Sequence, residues 1–182
     1  MKVLVVYESM FGNTRRIAQS VGSGIASVTG LEVVVTSVSR APVDSLAGVN
    51  LLVVGGPTHI HTMSTPASRI EASKQASEPD RHLILERDSS GIGVREWMKA
   101  LPRLNGLFAA FDTRADILKV LSGAASTAID KHLRRHGLRP VVAPRSFLVT
   151  RFNELQEHER SEAHDWGAQV GLAARATLEP AV

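Results

Sequence analysis

Cysteine is absent from the 182 residues. That excludes disulfides, thiolate nucleophiles, Fe–S clusters and cysteine-based zinc sites. Any redox chemistry here needs a bound cofactor. Charge of one sign is also lacking: 21 Lys and Arg stand against 18 Asp and Glu, a formal net charge of +3. No dense basic stripe exists, so no nucleic-acid partner is expected. The longest stretch free of charged side chains, Ser45–Ser68, is interrupted by Asn50, Pro57, His59, His61 and Pro66. It is not a membrane span. Lys2 is followed by a strand-like run and not by a signal-peptide pattern, so the expected compartment is the cytoplasm. Aromatics are scarce, at 4%, yet 43% of residues are apolar. The apolar share supports a packed core, and the length predicts one domain over 1–182.

The chain alternates strand and helix patterns. Val3–Tyr7 is a continuous apolar run, as in a strand buried on both faces. Ile17, Val21, Ile25 and Val28 then share one helical face. Asn13 or Thr14 is the expected cap and Gly30 the stop. Gly22 and Gly24 either weaken this helix or let it lie close to the sheet. Leu31–Val38 and Leu51–Val54 read as strands two and three. Thr65–Ala76 reads as a helix with Pro66 in its first turn. Ser77–Gly93 reads as an irregular excursion around the apolar Leu83-Ile84-Leu85. Val94–Leu101 is a short helix and Leu107–Phe111 is strand four. Ser126–His136 is a helix whose Lys131, Arg134 and Arg135 complement the C-terminal dipole. Strand five covers Val141–Val149, interrupted by Pro144. A last helix runs from Gln156 to Ala176, with Ala163, Trp166, Val170 and Ala174 on its apolar stripe.

Such alternation predicts a three-layer α/β/α sandwich on a five-stranded parallel sheet. Right-handed crossovers place every strand-to-helix loop at one sheet edge, where ligands of these folds bind. The loop after strand one, Tyr7-Glu8-Ser9-Met10-Phe11-Gly12-Asn13-Thr14, is built for an anion. Its backbone N–H groups sit at a helix N-terminus, and Gly12 lets the backbone approach a ligand. Ser9, Asn13 and Thr14 add side-chain donors. The same residue types also suit an ordinary capped helix start. Several nucleotide motifs are missing. No G-x-G-x-x-G follows strand one, strand two ends Ser37-Val38-Ser39 without a ribose-binding acid, and no G-K-[ST] loop exists.

These residues resemble the flavodoxin-like family. Y-E-S-M-F-G-N-T is similar to the flavodoxin phosphate loop, and most of all to its form in flavodiiron and quinone-reductase flavodoxin domains. Gly55-Gly56-Pro57-Thr58 resembles the family's turn after strand three, and Phe111-Asp112-Thr113-Arg114 the loop after strand four. The resemblance implies strand order 2-1-3-4-5 and noncovalent flavin mononucleotide (FMN). It places the phosphate on Ser9, Met10, Phe11, Gly12, Asn13 and Thr14. It places the flavin ring between Pro57, Thr58, His59, Ile60 and His61 on one side and Phe111, Asp112, Thr113 and Arg114 on the other. The implied function is electron transfer or a small oxidoreductase activity. Its partners would be a redox protein, a nicotinamide cofactor or a quinone, and the chain a monomer or homodimer.

Two features depart from the family. Flavodoxins stack Trp or Tyr on the flavin, whereas this chain offers His59, His61, Phe111 and Arg114, or Trp97 on its short helix. Flavodoxin shuttles are acidic and this chain is mildly basic. An alternative is therefore a flavodoxin-fold module that binds no flavin and serves in protein interaction or regulation. Simpler roles stand beside the others: a solvated loop for His59 and His61, a strand-end ion pair for Asp112 and Arg114, core packing for Trp166. Glu8 would repel a phosphate and is expected to point away or to bond the loop backbone.

Overall fold

The apolar runs pair as a parallel sheet in the computed structural model, which describes residues 1–59, 61–117, 123–150 and 152–178. Strand β1 (Lys2–Tyr7) lies between β2 (Glu32–Ser37) and β3 (Leu51–His59), parallel to both. A two-residue strand, β4 (Thr62–Met63), folds back antiparallel on the end of β3. β5 (Leu107–Ala115) pairs with β3 from Leu51↔Leu107 to Pro57↔Thr113. β6 (Arg139–Pro140) and β7 (Arg145–Val149) share the lane beyond β5. The spatial order β2-β1-β3-β5-β6/β7 is the doubly wound order 2-1-3-4-5 counted by lanes.

The fifth lane departs from the expected strand over Val141–Val149. It is two segments, because Pro144 has no N–H to give a ladder and parts them. β3 and β5 run four residues or more past their apolar stretches, to His59 and Ala115. Leu83-Ile84-Leu85 forms no strand, and Ile84 is 84% exposed.

Period-two alternation sends side chains to two apolar layers. Leu4, Val6, Leu52, Val54, Phe108 and Ala110 meet α3 (Val94–Lys99) and α4 (Ala125–Arg135) through Trp97, Met98, Ile129 and Leu133. Val3, Val5, Leu51, Val53, Leu107 and Ala109 face α1 (Asn13–Ala26) and α5 (Glu159–Leu178). Ile17, Val21 and Ile25 of α1 and Ala163, Trp166, Val170 and Ala174 of α5 complete that layer. Phe111, Phe147 and Trp166 meet edge to face at centroid separations of 6.1–6.2 Å. α2 (Pro66–Ala76) begins at a capping box: Thr65 Oγ1 accepts from Ser68 N–H at 3.1 Å, and Ser68 Oγ accepts from Thr65 N–H at 2.9 Å.

The α1 glycines serve close approach. A Cβ on Gly24 would lie 1.9 Å from the His164 carbonyl oxygen, and one on Gly167 2.3 Å from that of Val21. The backbones of α1 and α5 therefore touch, and α1 is fixed where its N-terminus meets the C-terminal end of β1. Among the described residues, no helix is long and apolar enough to cross a membrane.

Candidate functional site

The C-terminal ends of β1, β3, β5 and β7 enclose a cleft of about 250 Å³. Ser9, Met10, Phe11, Asn13 and Thr14 line it from the first loop, Pro57, Thr58 and His59 from the second, and Thr113 and Arg114 from the third. Three independently read loops thus converge on one place. Phe111 and Asp112 do not line it. Phe111 is fully buried in the aromatic cluster, and Asp112 is buried beneath the strand end. His61 is exposed beyond the cleft, in a left-handed backbone conformation with φ 70°. Ile60 lies outside the described residues.

Gly12 organises the first loop. It is the N-cap of α1, at φ 89°, a conformation that favours glycine. Asn13 and Thr14, expected as caps, are instead the first helical residues. The first intrahelical bond runs from Arg16 N–H to the Gly12 carbonyl at 3.0 Å. The N–H groups of Asn13, Thr14 and Arg15 therefore belong to the unpaired first turn. No side chain caps this end and no acidic residue stands in its first turn. Ser9 Oγ accepts from Gly12 N–H at 3.1 Å, which closes the turn.

Glu8 turns its charge away from that end. Its carboxylate is buried, accepts from Val94 N–H at 2.8 Å and from the Ser64 hydroxyl, and lies 4.0 Å from the Arg69 guanidinium. Burial raises its pKa, against the opposing pull of those two bonds and of Arg69. Arg69 reaches on to Glu96 at 2.9 Å. Arg95 donates to the Ser64 and Met63 carbonyls at 2.8 and 2.6 Å. The hairpin carrying the second loop is thus pinned from below by buried charge. Burial, and secondarily the charge of Arg69, lower the pKa of His59 and so favour its neutral ring.

The helix α4 has Ala124 at its N-cap and no local side chain to cap it. Two site candidates cap it from a distance. Thr58 Oγ1 accepts from Ala125 N–H at 2.9 Å, and Asp112 Oδ2 from Ser126 N–H at 2.7 Å. Burial raises the Asp112 pKa, and its Oδ1 has no hydrogen-bond partner. Arg114 donates to the carbonyls of Ala115 and Ile117 at 3.2 and 2.8 Å. Asp112 thus caps a helix from a distance, and Arg114 clamps two backbone carbonyls while lining the cleft.

Val149, Thr150 and Asn153 complete the cleft and were missed by sequence reasoning. The signal was present in the topology, since a fifth parallel strand ends at the same sheet edge. Asn153 also engages the first loop: Asn13 Nδ2 donates to its carbonyl at 2.7 Å and its Oδ1 at 3.1 Å. Thr14 and Thr113 share a hydroxyl–hydroxyl bond of 2.7 Å. Trp97, offered as a stacking ring, is buried and donates to the Ala41 carbonyl at 2.6 Å. Phe11 is the aromatic ring on the cleft wall. Among the described residues, no three His, Asp or Glu side chains converge as a metal ion requires.

No family model matches the chain. A flavodoxin of Aquifex aeolicus (strain VF5) is 35% identical over 68 residues, 37% of this chain and 37% of that protein. The fold superposes on a flavodoxin from the domain Archaea with TM-score 0.65 at 20% identity, covering 96% of this chain and 99% of that one. It also superposes on a flavodiiron core from Synechocystis sp. PCC6803 with TM-score 0.63 at 15% identity, covering 97% of this chain and 36% of the other. This chain has the flavodoxin-like fold.

Proposed function

We propose that the cleft holds flavin mononucleotide and that the protein, as one flavodoxin-like domain of the cytoplasm, transfers electrons through it. The observation that carries this reading is the Gly12 turn: a helix N-terminus with no side-chain cap and no acid in its own first turn, beside the cleft on which all three loops meet, with the neighbouring Glu86 carboxylate held by Arg15. The residues fit a phosphate monoester. The first-turn N–H groups of Asn13, Thr14 and Arg15 bind it, with the Ser9 and Thr14 hydroxyls as further donors. Each of these hydroxyls keeps a donor or acceptor position beside its present bond. Pro57, Thr58 and His59 border the ring on one side, Thr113 and Arg114 on the other, and Thr150 closes the edge. Bound flavin supplies the electron chemistry that no side chain here can perform. The chain's own work is to bind, to orient and to hold a neutral His59 and a cationic Arg114 at the ring's border. Redox proteins, nicotinamide cofactors and quinones are the candidate partners, with the chain as monomer or homodimer.

A second reading has its own support. Asn13 and Thr14 already have intramolecular partners, and no Trp or Tyr lines the cleft. A flavin-free interaction module would look like this. The absorption spectrum of freshly purified protein separates the two. The first reading expects a yellow protein whose colour fades on dithionite. Colourless protein whose melting temperature excess FMN leaves unchanged would establish the second, because a ligand specific for the native state must raise stability.

A further inference from the structure

A second cleft, of about 390 Å³, opens on the other side of β1, between the C-terminal ends of β1 and β2. Its outer wall is the segment 85–88, within the irregular excursion expected over Ser77–Gly93. Three contacts hold that wall in place. Glu86 N–H donates to the Met10 carbonyl at 2.9 Å. Arg15 Nε donates to both Glu86 carboxylate oxygens at 3.0 Å. Ser37 Oγ, on the last residue of β2, donates to Asp88 Oδ2 at 2.8 Å across 51 residues of chain.

Parallel α/β folds that bind dinucleotides need an acid at the end of the second strand, where it takes the ribose hydroxyls. An arginine beside it accommodates a ribose phosphate. Strand two carries no such acid in its own sequence. The fold supplies one from elsewhere: Asp88 sits on Ser37, with Arg40 Nε 3.3 Å from the same Oδ2. Both contacts use Oδ2, which leaves Oδ1 for a ligand hydroxyl. Arg87, on the exposed rim, adds a second guanidinium. Tyr7 and Leu85 provide an apolar wall for a base.

We infer that this cleft is a site for a phosphorylated ribonucleoside, with Asp88 on a ribose hydroxyl, Arg40 and Arg87 on phosphate, and the base against Tyr7 and Leu85. A nicotinamide dinucleotide is the member of that class which an electron-transfer protein would use. The site itself stands without flavin in the first cleft; only its assignment to an electron donor rests on that reading.

The test is calorimetric titration of the full chain with NADP⁺, and with inorganic pyrophosphate as a probe without ribose. Arg40→Ala should weaken NADP⁺ at least about tenfold, the size expected for a lost charge-assisted phosphate contact. Arg40 is exposed, so this variant should melt like the wild type. Asp88→Asn should weaken NADP⁺, whereas pyrophosphate should bind at least as tightly, because the carboxylate paired with Arg40 is gone. Absence of NADP⁺ binding, or binding that both variants leave intact, overturns the inference. So does NADP⁺ binding that Thr14→Ala weakens several-fold, which would put the nucleotide in the first cleft. A parallel FMN titration separates the two claims. If FMN fails to bind while NADP⁺ binds and responds to Arg40→Ala, the flavin reading falls and this site stands.

Discussion

Two clefts flank the end of β1, and they are made differently. The one toward β3 is built from strand-end loops whose residues are mostly uncharged, with Arg114 as the one charged wall residue among the described residues. The one toward β2 is lined by three arginines and two acids, most of them brought by a segment without regular structure. Helix α1 serves both, turning its N-terminus to one and Arg15 to the other. The comparison teaches that a parallel sheet edge offers crevices on each side of its first strand. What fills each is decided by which chain segments return to it. The first cleft is suited to a phosphate held by main-chain amides, the second to one held by side-chain cations.

Substitutions can break or sharpen that contrast. The largest effect is expected from Gly12→Val. A β-branched residue at φ 89° is strained, and its Cβ would meet Glu86 Oε1 at 3.0 Å. FMN affinity should fall at least about 100-fold, as expected when a binding turn is displaced, and fluorescence titration measures it. Equal losses of FMN and NADP⁺ would erase the distinction between the clefts. Next comes Gly167→Ala. Its Cβ would approach the Val21 carbonyl to 2.3 Å, forcing α1 and α5 apart. Overpacking of this kind costs about 1–3 kcal/mol, readable as a fall in Tm. Because both clefts rest on α1, both affinities should weaken together.

Thr14→Ala should be milder. Losing one hydroxyl donor costs about 0.5–1.5 kcal/mol. FMN affinity should drop several-fold by the same titration, while NADP⁺ is unaffected. The smallest effect concerns Asp112→Asn. Burial raises the pKa of this carboxyl above its unfolded value. Such an acid stabilises the fold at low pH, and the contribution is lost as pH rises through the folded pKa. Asparagine keeps an acceptor for Ser126 N–H and adds a donor for the neighbouring serine hydroxyls. The variant's Tm should therefore gain on the wild type as pH is raised from about 4 to 8. A variant Tm that falls relative to the wild type over that range would contradict this.

The central sheet was legible because its strands are buried on both faces and read as unbroken apolar runs such as Val3–Tyr7 and Leu51–Val54. Their extensions were not. Gly55–His59 and Asp112–Ala115 carry polar or small residues that pair as strand through partners distant in sequence: each other, β4 and β7. Pro144 announced a break, yet the pairing of Arg139–Pro140 upstream of it depends on β5 alone. The Gly12 turn was readable from residue types. Asn153 and Asp88 were not, since their roles come from contacts 140 and 51 residues away in sequence. Local pattern thus finds a loop that binds through its own backbone and overlooks sites assembled from distant side chains.

The central claim is that the first loop grips a phosphate through main-chain amides. Its most direct test compares FMN with riboflavin, which has the same ring and no phosphate, on flavin-free protein. The account predicts that FMN binds at least about 100-fold more tightly, the worth of two charge-assisted hydrogen bonds, and that Gly12→Val abolishes the difference. Equal affinities for the two flavins would contradict it.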